Sequence, residues 1–526
     1  MQLAAALCQV LEQSYNFSMR SRRHLWIVIL IAIVAFAARL IPGPRIIDDA
    51  YITFRYARNL LGGSGLVYNP GEWVLGTTTP LYALLISGFG LFLGGAQAPF
   101  PEIAWILNAC CDAIACVFLY MLGNRVRRPA AGLSAALLWA IAPMSVTFAI
   151  GGMETSLFIL LMLASFYFYS LDQTSLLAVS SALSILTRPD ALLFVLPIYL
   201  ERIRRALPTI RSSHPQLRIN WKETVLFGLP LAAWGVFAWK LYGSPVPHSI
   251  AAKVAAYQLP AEAALVRLLQ HYATPFLGHI TFGSGWIAVG LIAFPAFFFI
   301  AARRTLRTDF SLWPIFIFPI GYFLAYAVAN PLIFRWYLAP PLPILFLGIF
   351  LGVSELGSDL HFRPLLPIFF VSALGLTLNG WGLHPDHGPD RPAPDMAYIK
   401  LEILYQEAAS VLIPLLEPGD VVAAGDIGAL GYDTGAVMLD TLGLISPQSV
   451  RYYPLPDSEY VINVAMPTEL LLEEQPAFLV ALEVYGRRTF LPDESFLNLY
   501  DCIQILPSDI YGSDGMLIFE RAHPSP

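Results

Sequence analysis

Asp48-Asp49-Ala50-Tyr51-Ile52-Thr53-Phe54-Arg55-Tyr56-Ala57-Arg58-Asn59-Leu60 is a polar run hemmed in by apolar sequence. Two carboxylates lead it, and the residues after Asp49 repeat with helical spacing. Tyr51, Arg55 and Arg58 share one face, while Ala50, Phe54, Ala57 and Leu61 share an apolar one. Such a helix should lie flat on a membrane. An aspartate before a helix commonly caps it, but two adjacent carboxylates cannot both do so. One of Asp48 and Asp49 is therefore left at the water-lipid boundary beside arginines. There a carboxylate can accept a proton from a hydroxyl while guanidinium groups hold a phosphate.

The surroundings of this run set the class. The chain of 526 residues is 57% hydrophobic and only 13% charged, whereas about a quarter of an ordinary soluble protein is charged. That excludes an ordinary soluble enzyme. Apolar stretches near the ~20 residues that cross a bilayer recur at 25–41, 103–122, 133–150, 156–171, 225–242, 286–302, 312–329, 338–356 and 365–381. Two shorter ones, 176–186 and 191–200, flank Thr187-Arg188-Pro189-Asp190 and read as paired short spans with this tetrad at the bend. Arg20, Arg22 and Arg23, then Arg125, Arg127 and Arg128, the segment 202–222, and Arg303, Arg304 and Arg307 belong on the cytoplasmic side. Segment 81–93 is too short to cross upright and would reverse the Arg125 loop, so it is expected in the outer interface. The expected fold is a polytopic α-helical membrane protein with eleven transmembrane helices. Ala35-Phe36-Ala37 has the form of a signal-cleavage site, but the first span is read as retained, because its loss would remove the anchor for the 48–60 run.

Charge divides the chain into 1–382 and 383–526. The second part has 22 acidic and 6 basic residues, the first 15 and 25. The overall balance of −6 gives no electrostatic reason to expect a nucleic-acid partner. The acidic tail should be an extracytoplasmic α/β domain, with strands at 421–425, 436–440 and 477–484 around the turn Gly425-Asp426-Ile427-Gly428. That turn reads as structural, since its spacing is not a dinucleotide fingerprint. Residues 385–394 read as a linker, and His384-Pro385-Asp386-His387 as a solvated hinge rather than metal ligands. Five cysteines make neither a disulfide scaffold nor a zinc centre.

The first-loop run, continued by Gly65-Leu66-Val67-Tyr68-Asn69-Pro70-Gly71-Glu72 and Thr79-Pro80-Leu81, resembles the first outer loop of GT-C membrane glycosyltransferases, most of all the actinobacterial terminal arabinofuranosyltransferases and their uncharacterised relatives. Gly152-Met153-Glu154-Thr155, Leu186-Thr187-Arg188-Pro189-Asp190, the stretch from Tyr242 to Lys253, Arg335-Trp336-Tyr337 and the tail from Gly425 to Pro447 extend the resemblance over most of the chain. It implies a polyprenyl-phosphate-linked sugar as donor, a glycan, lipid or protein as acceptor, and Asp48 or Asp49, in the first outer loop 42–80, at the catalytic position. Where relatives often have Glu-Gly-Tyr-Thr-Asn-Pro, this chain has Leu75-Gly76-Thr77-Thr78-Thr79-Pro80, which leaves the sugar open.

The remaining candidates for substrate binding are Tyr51, Arg55, Arg58, Glu72, Glu154, Arg188, Asp190, His248, Lys253, Arg335 and Trp336, each with a plainer alternative. Glu154 stands at a helix start and either stabilises it or meets Asp49. Arg188 and Asp190 either pair with each other or serve a phosphate. His248 and Lys253 lie in an outer loop that solvation also explains, and Arg335 and Trp336 in an interface where aromatic residues are expected anyway. Asp112 sits midway through a span and needs a partner or a proton. No dedicated metal site is expected, and participation of a divalent cation is left open. The rival classes are a transporter or flippase of lipid-linked sugars and a non-catalytic envelope or motility-assembly protein. Transporters place ionisable groups at mid-membrane in repeated halves, whereas the densest polar cluster here is at one surface and no repeat is visible.

Overall fold

The computed structural model describes residues 19–210, 220–381, 383–385, 392–394 and 400–522. The first part is a helical bundle: α1 Met19–Leu40, α2 Asp48–Leu61, α3 Pro80–Phe92, α4 Phe100–Arg125, α5 Pro129–Ile141, α6 Pro143–Ile150, α7 Thr155–Ser170, α8 Thr174–Thr187 and α9 Leu192–Ile210. It continues through α10 Trp221–Tyr242, α11 His248–Ala256, α12 Ala263–Tyr272, α13 Gly278–Phe282, α14 Gly285–Thr308, α15 Trp313–Ala329, α16 Leu342–Asp359 and α17 Leu365–Asn379. Among the described residues six helices are long and apolar enough to cross a membrane, and a seventh span results if α5 and α6 are joined across their 49° bend. Pro143 lacks the N–H that would continue α5, and it drives Ala142 out of the helical region, which explains the bend. The other expected spans are the shorter apolar helices α7, α8 and α17 and α9, which runs on into the charged 201–205 segment. The chain is a polytopic helical membrane protein, with a span count that length and apolarity alone put at six or seven rather than eleven.

The two ends of the bundle differ. At one end the basic residues meet acids, across helices in Arg125 with Asp309 at 3.4 Å, Arg128 with Glu355 at 2.8 Å and Arg202 with Glu223 at 2.7 Å, and within α9 in Arg205 with Glu201 at 3.1 Å. At the other end the first loop meets the 151–154 turn, where the Ile47 amide donates to Gly151 O at 3.0 Å. Within the bundle Asp112 has a partner after all. Arg39 Nε donates to its Oδ2 at 3.0 Å and Ser156 Oγ at 3.1 Å, an ion pair that satisfies both buried charges.

In the tail, β1 Leu383–Pro385 pairs antiparallel with β2 Pro392–Pro394, while Asp386 and His387 of the expected hinge lie outside the described residues. Helix α18 Lys400–Leu412 leads into a five-stranded sheet of β3 Val421–Ala424, β4 Val437–Asp440, β5 Phe478–Leu482, β6 Tyr500–Leu506 and β7 Met516–Arg521. Its order is β4-β3-β5-β7-β6, with β3 parallel to both β4 and β5 and the rest antiparallel. Strands β6 and β7 were not expected. β6 is an edge strand buried only at Tyr500 and Leu506 and bulged between Cys502 and Gln504, so it lacks the alternation that marks a half-buried strand. A short helix, α19 Gly428–Thr434, links β3 to β4.

Helix α2 does not lie open on a membrane surface. Ala50, Tyr51, Thr53, Phe54, Arg55, Tyr56 and Ala57 are all buried, because α3 covers one side of the helix and α19 of the tail covers the other. This wedge fixes the tail against the bundle and encloses the site.

Candidate functional site

Between the tail and the first-loop end of the bundle lies a cavity of about 710 Å³. Asp49 of α2, Arg267 of α12 and Arg335 with Trp336 line it from the bundle, and Asp426 and Tyr485 from the tail. Leu332, Ile333 and Phe334 supply apolar wall.

The two adjacent aspartates part company here. Neither caps α2, whose N-cap is Ile47 with no side-chain bond. Asp48 instead caps a helix of the tail: its Oδ1 accepts from the Ala429 amide at 2.8 Å and its Oδ2 from the Gly428 amide at 3.0 Å, satisfying two open donors of α19. A Cβ at Gly428 would collide with the Asp48 main chain, so only glycine permits this approach. Asp49, by contrast, makes no hydrogen bond or ion pair among the described residues and faces the cavity. Burial pushes its carboxyl above the usual range, and the ammonium of Lys253 pulls it back. A carboxylate so placed has proton affinity and an unoccupied acceptor edge.

The face formed by Tyr51, Arg55 and Arg58 is real, but it meets the tail and not the cavity. Arg55 donates to Tyr68 O at 2.9 Å, to Ala436 O at 2.6 Å and to Gly431 O, and its guanidinium lies 4.3 Å over the Tyr68 ring. Arg58 donates to Tyr432 O and stacks 3.5 Å over that ring. Tyr51 donates to Glu402 Oε1 at 2.8 Å. These groups, expected at the substrate, are spent on docking, since buried main-chain carbonyls need donors and guanidinium supplies several. Glu72 is exposed beside Asn69, whose Nδ2 donates to it at 3.0 Å, and lies away from the cavity.

Arg188 and Asp190 do pair, through Nε to Oδ1 at 3.0 Å and Nη2 to Oδ2 at 2.8 Å. The pair is part of a larger buried network. Arg188 also reaches Glu154 at 3.4 Å, and Tyr322 and Tyr326 donate to Asp190 Oδ2 at 3.2 and 3.0 Å. Glu154 thus holds Arg188 rather than capping α7, where its side chain makes no cap bond. Lys253 lies 4.9 Å over the Phe334 ring. Burial alone would lower its pKa, but Tyr337, then Asp49 and Glu154, turn the shift upward and keep it charged. His248 places its amide on Leu75 O at 2.8 Å and leaves a buried Nε2 without a partner. Trp336 stacks on Phe334 with ring centroids 4.8 Å apart.

Arg335 has company that the sequence did not announce. Arg267 lines the same cavity, and neither arginine has a hydrogen bond or ion pair among the described residues. Burial and then the like charge of Arg335 lower the Arg267 pKa, so two cations share one wall. Such a pair costs repulsion unless an anion completes it. Asp426 is the second residue that sequence reading passed over. It follows β3, and Tyr405 and Tyr485 both donate to its Oδ2 at 3.0 Å. Burial and then Asp49 push its carboxyl up to about 6. Among the described residues no three His, Cys, Asp or Glu side chains converge as metal ligands.

Residues 397–519 match a family described as a domain of unknown function (DUF8728). No curated protein matches the chain. Solved structures do. ArnT from Cupriavidus metallidurans in the apo state is similar at a TM-score of 0.55 and 14% identity over 97% of this chain and 100% of that one. ArnT bound to undecaprenyl phosphate gives 0.54 and 13%, covering 95% and 99%. The archaeal oligosaccharyltransferase AglB from Archaeoglobus fulgidus, in complex with an inhibitory peptide and a dolichol-phosphate, gives 0.52 and 12%, covering 97% and 75%. The fold is the GT-C fold of membrane glycosyltransferases.

Proposed function

We propose that this chain is a membrane glycosyltransferase that moves a sugar from a polyprenyl-phosphate donor to an acceptor of the cell envelope, with the reaction on the extracytoplasmic side. The observation that carries the reading is the division of one cavity between an unpaired carboxylate, Asp49, and two unpaired guanidiniums, Arg267 and Arg335, with apolar wall beside them. The GT-C fold supports it, as do the undecaprenyl phosphate bound to ArnT and the dolichol-phosphate bound to AglB. Basic clusters at the opposite end of the bundle favour a cytoplasmic placement there, which supports a tail on the outer side.

In this reading Arg267 and Arg335 hold the donor phosphate and take up the charge that grows on it as the glycosidic bond breaks. Asp49 accepts the proton of the attacking acceptor hydroxyl. Lys253 favours the ionised form of Asp49 against the effect of burial, and the Arg188 network holds Tyr337, over which the Arg188 guanidinium lies at 5.1 Å. Asp48, Tyr51, Arg55 and Arg58 hold the tail in place.

The test is incubation of the purified protein with a panel of polyprenyl-phosphate pentoses and hexoses, scoring released polyprenyl phosphate. Release from at least one donor, lost in Asp49→Asn, is expected. No release from any donor would overturn the reading.

A further inference from the structure

The tail presents the cavity with a particular part of its sheet. Gly425 and Asp426 follow β3, Thr441 and Leu442 follow β4, and Tyr485 lies just beyond β5, so all three parallel strands bring their carboxyl ends to the cavity. The chain leaves β3 for β4 on one side and returns to β5 on the other. The crevice between the ends of β3 and β5 is therefore where the strand order reverses, the place at which open α/β sheets take ligands. Asp426 and Tyr485 occupy that crevice, joined by the Tyr485 hydroxyl.

The Asp426 carboxylate is aimed. Two tyrosine hydroxyls from different elements, Tyr405 of α18 and Tyr485, hold Oδ2, while Oδ1 has no donor among the described residues. A carboxylate with one oxygen fixed and the other open is an acceptor for hydroxyl protons. Tyr257 and Tyr485 line the same space, and aromatic side chains with a polar tip suit a sugar, which has both C–H and hydroxyl groups. Asp48 sets the register of the whole turn through the Gly428 and Ala429 amides, so Asp426 is carried to the side of the cavity that Asp49 faces.

We infer that the tail domain supplies the acceptor subsite, that Asp426 is its hydroxyl-binding residue, and that the acceptor seated there is a neutral sugar. This rests on the glycosyltransferase reading and narrows its acceptor. Asp426 of the tail and Asp49 of the bundle together, beside a tail with 22 acidic and 6 basic residues, repel an anionic acceptor. An extended peptide would need a row of open strand N–H and C=O groups. The cavity meets strand ends instead, and the edge strands β4 and β6 flank the sheet.

The experiment is saturation-transfer NMR on the full chain in lipid nanodiscs with methyl glycosides of neutral hexoses and pentoses, a methyl glucuronoside, and a serine-containing peptide. Wild type is expected to bind at least one neutral glycoside and neither of the other probes. In Asp426→Asn the amide oxygen can still accept from both tyrosines, but an NH₂ replaces the open oxygen, and neutral-glycoside binding should fall at least tenfold with the melting temperature held. Tyr485→Phe keeps the carboxylate and loosens its aim, and should weaken binding by less. With a cleaved donor in hand, Asp426→Asn should raise the acceptor KM more than it lowers kcat. Absence of neutral-glycoside binding by wild type, undiminished binding in both variants, or peptide binding that depends on Asp426 would overturn the inference. Failure of wild type to cleave any donor would overturn the glycosyltransferase reading instead, with sugar binding still judged by the NMR.

Discussion

The two ends of the helical bundle handle charge in opposite ways. At the end away from the cavity, Arg125, Arg128, Arg202, Arg205 and Arg304 each meet a carboxylate, most of them across helices. At the cavity, Arg267, Arg335 and Asp49 have no hydrogen bond or ion pair among the described residues. Paired surface charges add little to stability and need no ligand. Unpaired charges on a shared wall are costly unless something else completes them, so this imbalance marks where chemistry is expected.

The contrast breaks most decisively at Asp49. Asp49→Asn should reduce transfer by about 10²- to 10⁴-fold, the usual size of a missing general base. Its melting temperature should hold, since the carboxylate has no protein hydrogen bond to lose. Arg335→Ala should follow, weakening donor binding by about 10- to 100-fold, as expected for hydrogen bonds to a charged group. Direct titration with a polyprenyl-phosphate sugar measures it, and Arg267→Ala should act in the same direction. Third is pH. Burial and then Asp49 hold Asp426 at about 6, with Asp48, Tyr405 and Tyr485 as its other neighbours. Neutral-sugar binding should therefore rise with pH as the carboxylate ionises, and fall by about tenfold between pH 7 and pH 5. In Asp426→Asn that slope should vanish.

Smaller effects sharpen the other side of the comparison. Asp48→Ala should cost about 1 to 2 kcal/mol of stability, the range for a lost helix cap, with a loss of transfer well below that of Asp49→Asn. Denaturant melts and turnover on the same preparation separate the two. Arg304→Ala removes the exposed pair with Asp359 and should change stability by less than about 1 kcal/mol, with transfer unaltered.

Helical spacing in the first loop told which residues share a face, and Tyr51, Arg55 and Arg58 do share one. What covers that face depends on a partner some 370 residues further along, which no local pattern encodes. The same limit applies to Arg267, a single cation in a short helix whose meaning comes from Arg335, 68 positions later. Asp426 was visible in the Gly-rich turn and passed over because the spacing fits no nucleotide motif. Only the direction of β3 and the hydroxyls of Tyr405 and Tyr485 disclose its use. Strands β3, β4 and β5 were readable from their apolar runs, whereas edge strand β6 was not. The preference for Asp48 or Asp49 also stayed undecided in the sequence, because identical neighbours differ only in what each one touches.

The seat of the tail on α2 takes most of its hydrogen bonds from main-chain atoms of the tail, two amides at the start of α19 and the carbonyls of Gly431, Tyr432 and Ala436, with the Glu402 carboxylate and the Tyr432 ring as side-chain partners. A lock cut mostly to the backbone reads few side chains, here Glu402 and Tyr432. The exposed surface of the tail can therefore change freely, by drift or by design, and still settle in the same place, as long as Glu402 and Tyr432 are kept and two positions stay bare. At Gly428 an added methyl would strike Asp48, and at Gly431 it would strike the Tyr68 hydroxyl. Exchanging one tail for another between related chains then reduces to keeping those two glycines, Glu402 and Tyr432 in step with Asp48, Tyr51, Arg55 and Arg58.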